Sequence, residues 1–144
     1  LIHKRCILMF GMTKKQFLKK SKKCLQDTGI QLLLIREVFN QEGEDQIDYD
    51  ETYRKLDKNR ENLEKIFFQY EGLKPPSKCK PLQIKILKTL IILQDALVAN
   101  LEYLILLKKH SPEEASAERV KSLEKLELFR AKFRGLSQKV DLYL

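Results

Sequence analysis

Apolar residues recur along this chain at helical spacing in four long segments. The most apolar segment runs from residue 81 to residue 109, and its apolar positions cover most of a helix circumference. Its polar residues recur mainly on one narrow face, whose positions lie three, four or seven residues apart: Lys85, Lys88, Asp95, Ala99 and Glu102. A helix with so much apolar surface is buried on several sides. We therefore predict that this segment is the central helix of an all-helical domain.

The first helix is predicted to begin after Thr13 and to end near Asn40. Thr13 and Gln16 have the spacing of a capping box, in which each residue satisfies a backbone amide of the other. Gly29 interrupts the helix and indicates a kink or a close helix crossing. The predicted buried line consists of Phe17, Cys24, Leu25, Leu32, Ile35 and Phe39.

A polar, acidic loop from residue 41 to residue 48 separates this helix from a second one. The second helix is predicted from about Tyr49 to Glu71, with Asp48 or Asp50 as the candidate cap and Gly72 as the C′ glycine that ends it. The Pro75-Pro76 pair then breaks the helical pattern before the central helix begins.

The last helix follows the central one after a turn near His110. Ser111 is predicted to cap it, with Pro112 in the first turn and Glu114 completing a capping box. So short a turn makes the last two helices an antiparallel hairpin. The predicted buried line of the last helix consists of Val120, Leu123, Leu126, Phe129, Phe133, Leu136 and Val140.

These segments predict an all-α protein, an antiparallel up-down-up-down four-helix bundle with a short N-terminal arm. Residues 12 to 144 form the single bundle domain in this prediction. Residues 1 to 11 are the arm, or an upstream extension outside the fold, because Met12 directly precedes a complete helix start. The apolar run in the arm is too short for a signal or membrane segment.

The chain is basic, with 28 Lys and Arg against 20 Asp and Glu, but the excess is unevenly distributed. The net charge is +7 for residues 1 to 41, −5 for 42 to 72, +5 for 73 to 110 and +1 for 111 to 144. Segments of opposite sign suit neighbouring antiparallel helices. Three cysteines without C-x-x-C spacing favour reduced thiols in a cytoplasmic protein, with Cys24 as a core residue.

The sequence carries no pattern typical of catalysis, metal binding or cofactor binding. Its two histidines, His3 and His110, have no E-x-x-H or H-x-x-x-H partner, and no glycine-rich phosphate loop is present. Asp95 and Glu102 lie seven residues apart and would suit acid/base chemistry only if both were buried. We therefore expect a non-enzymatic protein without catalytic, cofactor or metal residues.

Six lysines on the outside of the first helix form a candidate anion-binding face: Lys14, Lys15, Lys19, Lys20, Lys22 and Lys23. Such a face suits phosphate backbones, an anionic membrane surface or an acidic partner. It lacks the arginines and interleaved aromatic residues that are typical of nucleic-acid recognition, and lysines are also ordinary solvent-facing helix residues.

The chain contains, in order, Tyr70, Leu73 and Pro75-Pro76, then a long apolar helix, a short polar turn and a charged last helix. This order resembles that of a family of uncharacterised helical-bundle proteins of Gram-positive bacteria. The resemblance covers residues 66 to 140 only. Where the family's helix carries an early histidine, this chain has Gln83. The resemblance implies a bundle of bacterial origin and no activity.

Three functions fit these observations. The first, which we favour, is a helical interaction or assembly protein that uses surplus apolar surface of the central helix to bind itself or another helical protein; the candidate interface is Ile92, Ala96, Tyr103 and Leu107. The second is binding of nucleic acid or an anionic membrane surface by the lysine face. The third is a ligand-sensing bundle or an enzyme with an interior pocket, which predicts a cavity lined by Asp95, Glu102 or Asn100. A role like that of bacteriocin-immunity proteins, which are also small basic helical bundles, rests on fold analogy alone.

Overall fold

The computed structural model describes residues 11–43 and 47–144 of the chain. Within this part the protein consists of helices and contains no strand, as predicted. The elements are α1 (Lys14–Gln41), α2 (Tyr49–Glu71), a 3-10 turn (Ser77–Cys79), α3 (Lys80–Lys108) and α4 (Pro112–Tyr143). The predicted N-terminal arm, with His3 and Cys6, lies outside the described residues apart from Gly11.

The four helices pack in a ring. Helix α1 contacts α2 and α4, and α3 contacts the same two helices, with the most extensive contact between α3 and α4. Each helix therefore lies beside its neighbours in the chain, and the ring closes between the first and the last helix. This arrangement is the predicted antiparallel four-helix bundle.

Two clusters of buried side chains form the core along the bundle axis. The first contains Ile35, Leu56, Leu93, Leu97 and Phe129, together with other residues from all four helices. The second lies around Phe17, Tyr70, Ile86, Leu136 and Val140. Every residue of the buried line predicted for α1 is buried.

The first two helices begin with the predicted caps. The Thr13 hydroxyl accepts a hydrogen bond from the Gln16 amide at 3.1 Å, and the Gln16 side chain accepts one from the Thr13 amide at 2.9 Å. Asp48 caps α2 by accepting a bond from the Glu51 amide at 3.1 Å. These local interactions satisfy amides that have no partner within the helix.

The helix ends differ from the predictions in two places. Gly72 ends α2 as predicted, but it is the C-cap, with a right-handed φ of −71°, and not the C′ residue. The left-handed conformation that is typical of C′ occurs instead at His110, whose φ is 58°. The His110 amide donates to Leu107 and the Ser111 amide donates to Leu106, which is the hydrogen-bond pattern of a Schellman motif at the end of α3.

The capping box predicted for α4 is also wrong. Ser111 is the N-cap and Pro112 stands in the first turn, but the Ser111 side chain makes no cap hydrogen bond. Its backbone amide belongs to the Schellman motif of α3, so one residue serves both helix ends. The backbone geometry of the preceding turn therefore decides the conformation of Ser111.

The outward side of α3 carries exposed apolar residues. Ile84, Ile91 and Val98, which do not belong to the predicted interface, are 46%, 45% and 55% exposed. Ala99, which was placed on the polar face, is buried. Because only two neighbouring helices flank α3, its outside stays open even though its composition is that of a core helix.

Helix α4 shows the same effect on a smaller scale. Leu126, Phe129, Leu136 and Val140 are buried as predicted, whereas Val120 and Leu123 are 51% and 42% exposed. Gly29 faces α4, where a Cβ on this residue would lie 3.6 Å from the Phe133 ring, an ordinary van der Waals distance that requires no glycine.

Candidate functional site

The six lysines predicted on the outside of α1 are all exposed. Two of them form ion pairs, Lys22 with Asp141 at 3.3 Å and Lys23 with Asp27 at 2.9 Å. The Lys14 ammonium lies 5.5 Å from the centre of the Tyr143 ring. These contacts place part of the lysine face in ordinary surface interactions, which contribute little stability.

The four predicted interface residues do not form one exposed patch. Ala96 is completely buried inside this chain, so it is not available to another protein. Ile92 and Tyr103 are half-buried and pack against the first core cluster. Leu107 is half-buried near the end of α3. The open apolar surface of α3 lies on its other residues.

The exposed side of α3, which we call the outer α3 face, has a regular pattern. Its apolar members are seven residues apart, at Ile84, Ile91 and Val98. Charged residues lie between and beside them at the same helical spacing: Lys80, Lys88, Asp95 and Glu102. A seven-residue repeat of apolar positions flanked by charges is typical of helices that pack against another helix.

The charges of the outer α3 face are separated by sign. Lys80 and Lys88 lie in the N-terminal half of the helix, and Asp95 and Glu102 lie in the C-terminal half. Within the described residues, none of these four forms an ion pair with another residue. The face is therefore complementary to a copy of itself that runs in the opposite direction.

A second feature is a buried polar cluster at the end of α1. Glu42, which caps α1, has a side chain with no exposed surface and pairs with Arg119 of α4 at 2.5 Å. Asn100 of α3 is completely buried and donates to the other Glu42 carboxyl oxygen, also at 2.5 Å. Arg119 in turn donates to the Asn100 side-chain oxygen at 2.8 Å.

Aromatic rings enclose the guanidinium of this cluster. The Arg119 guanidinium carbon lies 5.2 Å from the centre of the Phe39 ring and 5.3 Å from that of Tyr103. Both distances are within the range of cation–π attraction. The cluster thus ties α1, α3 and α4 together where the chain leaves α1.

Burial changes the protonation chemistry of Glu42. Loss of solvent raises the pKa of this carboxyl from 4.5 to about 7, although the charge of Arg119 and the hydrogen bond from Asn100 act in the opposite direction. Burial likewise raises the pKa of Tyr103, which flanks the same arginine. With Asn100, Phe39 and Tyr103 packed around it, the carboxyl has a structural role within the bundle.

The acid/base pair considered from the sequence does not occur. Asp95 and Glu102 are exposed on the outside of α3, so they line no interior cavity, and Asn100 belongs to the buried cluster. Cys24 is buried, as predicted, and burial raises the pKa of its thiol to about 12, which keeps it protonated and inert. No group of three potential metal ligands occurs in residues 11–43 and 47–144.

Sequence reasoning missed the buried cluster. Glu42 was assigned to the acidic loop, and Arg119 was not singled out among the charges of α4. One signal was present, because Asn100 is an uncharged polar residue in the most apolar helix of the chain. A buried amide needs a hydrogen-bond partner, but the sequence does not say which helix supplies it.

Comparisons with protein-family models, with curated proteins and with solved structures give no match to this chain. In the described residues, one helical segment, Ser77–Lys108, is long and apolar enough to cross a membrane by length and composition. The core helix of a soluble protein has the same length and composition. In this fold, 44% of the most apolar 18-residue stretch of the segment is buried.

Proposed function

We propose that this protein is a non-enzymatic helical assembly protein that pairs with a second copy of itself through the outer α3 face. The single observation that carries the proposal is the repeat of half-exposed Ile84, Ile91 and Val98 between charges that are separated by sign. Exposed apolar surface of this kind is covered in stable assemblies.

A twofold arrangement accounts for the order of the charges. In an antiparallel pair with Ile91 of both copies at the symmetry axis, Ile84 of each copy meets Val98 of the other. Lys88 of one copy then lies almost opposite Asp95 of the other, offset by one residue. Lys80 lies directly opposite Glu102 of the other copy. A parallel pair would bring like charges together, which opposes association. The pattern thus favours an isologous contact, in which the same surface is used twice.

Charge exchange tests this arrangement. Lys88→Glu and Asp95→Lys should each weaken self-association about tenfold, because each introduces two like-charge contacts into a symmetric dimer. The double variant K88E/D95K restores opposite charges across the antiparallel contact and should recover the affinity. Analytical ultracentrifugation measures all four proteins. Equal affinities for the single and double variants would contradict the antiparallel contact.

A further inference from the structure

Four lysines flank one groove between α3 and α4. Lys85 and Lys88 stand on the α3 side, and Lys132 and Lys139 stand on the α4 side. The groove holds about 390 Å³ and is lined by no acidic residue among those that the structure describes. Within the same part of the chain, none of the four ammonium groups forms an ion pair. Like charges gathered in this way repel one another, so an anion between them would relieve the repulsion.

The floor of the groove is apolar. It is formed by Ile92, Ala131, Gly135 and Leu136, with Thr89 as the one uncharged polar residue. The Thr89 hydroxyl already donates to the Lys85 carbonyl at 2.8 Å. An extended peptide in the groove would find few partners for its backbone amides and carbonyls, whereas a hydrocarbon chain requires none.

All four cations beside the groove are lysines, and this favours phosphate as the anion that the groove binds. A lysine ammonium is a compact charge that binds phosphate without the two-pronged geometry with which arginine holds a carboxylate. Lys85 and Ile92 are seven residues apart on a helix, so the groove is about 10 Å long. This length accommodates one phosphate group and the first part of an acyl chain.

We propose that this groove binds a phosphate-bearing amphiphile, an anionic phospholipid, with the phosphate between the lysines and the beginning of an acyl chain on the apolar floor. The start of α1 lies at the same end of the bundle, as the contact between Lys22 and Asp141 of α4 shows, and its lysines add long-range attraction to an anionic surface. The proposal does not rest on self-association. Only Lys88 belongs to both the groove and the outer α3 face.

Gly135 offers a way to close the groove while all four lysines stay in place. A Cβ at this position would have no heavy atom within 4 Å, so a larger side chain has room on the folded bundle. Gly135→Leu fills the floor, and Gly135→Ala is its matched control, because it makes the same backbone change with little volume. Both replacements favour the helical conformation, so the variants are expected to fold.

The experiment is an NMR titration of the ¹⁵N-labelled full chain. The probes are a short-chain phosphatidylglycerol below its micelle concentration, the matching phosphatidylcholine, inorganic phosphate and an acidic peptide. The proposal expects phosphatidylglycerol to shift the amide signals of residues 85–92 and 131–139, with an affinity at least about tenfold above that for inorganic phosphate. Phosphatidylglycerol vesicles in a sedimentation assay then show whether the lipid is also bound in a bilayer.

The variants distinguish binding of the lipid in the groove from general attraction of the anion to the basic surface. G135L and the pair K85Q/K139Q should each lower the affinity about tenfold, while G135A and the equally charged pair K15Q/K19Q should stay within about twofold of the original protein. The proposal is overturned if G135L binds like G135A, if both lysine pairs lose the same affinity, or if the acidic peptide binds more tightly than the lipid. The titration is repeated with Ile91→Glu, the variant that is expected to abolish self-association. An unchanged affinity then shows that lipid binding does not depend on the dimer.

Discussion

Arg119 of α4 donates a hydrogen bond to Glu42 at the end of α1 across 2.5 Å, although the Glu42 side chain has no contact with solvent. Such a buried pair gains its attraction only after both groups lose water, so its net contribution to folding is small while the cost of breaking it is large. Asn100 completes the arrangement from α3. The pair therefore fixes how three helices meet.

The free energy of unfolding should fall as the pH rises, because of Glu42. Its pKa is raised from 4.5 to about 7 in the folded protein, so the folded state holds a proton that the unfolded state releases. The resulting stabilisation is complete below pH 4.5 and is lost as the pH rises toward 7 and above. We expect the original protein to lose about 1–3 kcal/mol relative to E42Q between pH 5 and pH 8. Urea unfolding of both proteins checks this, and parallel stability curves would contradict it.

Replacing Arg119 should lower the free energy of unfolding more at high pH than at low pH. Arg119→Met keeps most of the side-chain volume and leaves Glu42 without a cation, so the unfolding free energy should fall by about 3 kcal/mol at pH 8. At pH 5 the carboxyl of the variant is protonated and the loss should be smaller. Arg130, half-buried on the same helix and paired with exposed Glu127, is the control, because R130M should cost little at either pH.

Gln83 should be important for the turn before α3. Its side-chain amide is buried and donates to the carbonyl of Tyr70, in the last turn of α2, at 3.2 Å and to that of Leu73, just after α2, at 3.1 Å. Gln83→Ala leaves these carbonyls without that donor and should lower the unfolding free energy by about 1–3 kcal/mol. Exposed Gln138 is the matched control, and thermal unfolding that shows equal losses for Q83A and Q138A would exclude this role.

His110 should be a site at which glycine stabilises the protein. Its φ of 58° lies in the left-handed region, which costs about 1–2 kcal/mol for a residue with a Cβ. His110→Gly removes this cost but adds entropy to the unfolded chain, so a net gain of about 0.5–1 kcal/mol is expected. His110→Ala keeps the Cβ and should give no gain. A chemical denaturation midpoint that falls for H110G would contradict the expectation.

The parts of the fold that local chemistry determines were predictable from the sequence. The capping box of Thr13 and Gln16, the Asp48 cap and the bounds of α2 follow from neighbouring residues, and they are confirmed. Contacts between distant residues were not predictable in the same way. Periodicity marks Asn100 as unusual in α3, but only the packed bundle brings Glu42 and Arg119 to it.

The outward side of α3 shows a second limit of the sequence. A helix that is apolar nearly all round has no polar stripe wide enough to define its orientation. The prediction therefore placed Ala96 in the exposed interface and left Ile91 out of it, whereas in the packed bundle Ala96 is buried and Ile91 is 45% exposed. Composition indicated that α3 has surplus apolar surface, and the fold was needed to locate it.

Sedimentation equilibrium tests the assembly proposal most directly. Ile91 lies at the proposed symmetry axis, so Ile91→Glu would bring two carboxylates together, whereas Leu33→Glu makes the same change at an exposed residue of α1 and serves as the control. We expect the original protein and L33E to be dimers at about 100 μM and I91E to be a monomer, with all three equally folded by circular dichroism. A monomeric original protein, or an I91E variant that dimerises like L33E, would contradict the proposal.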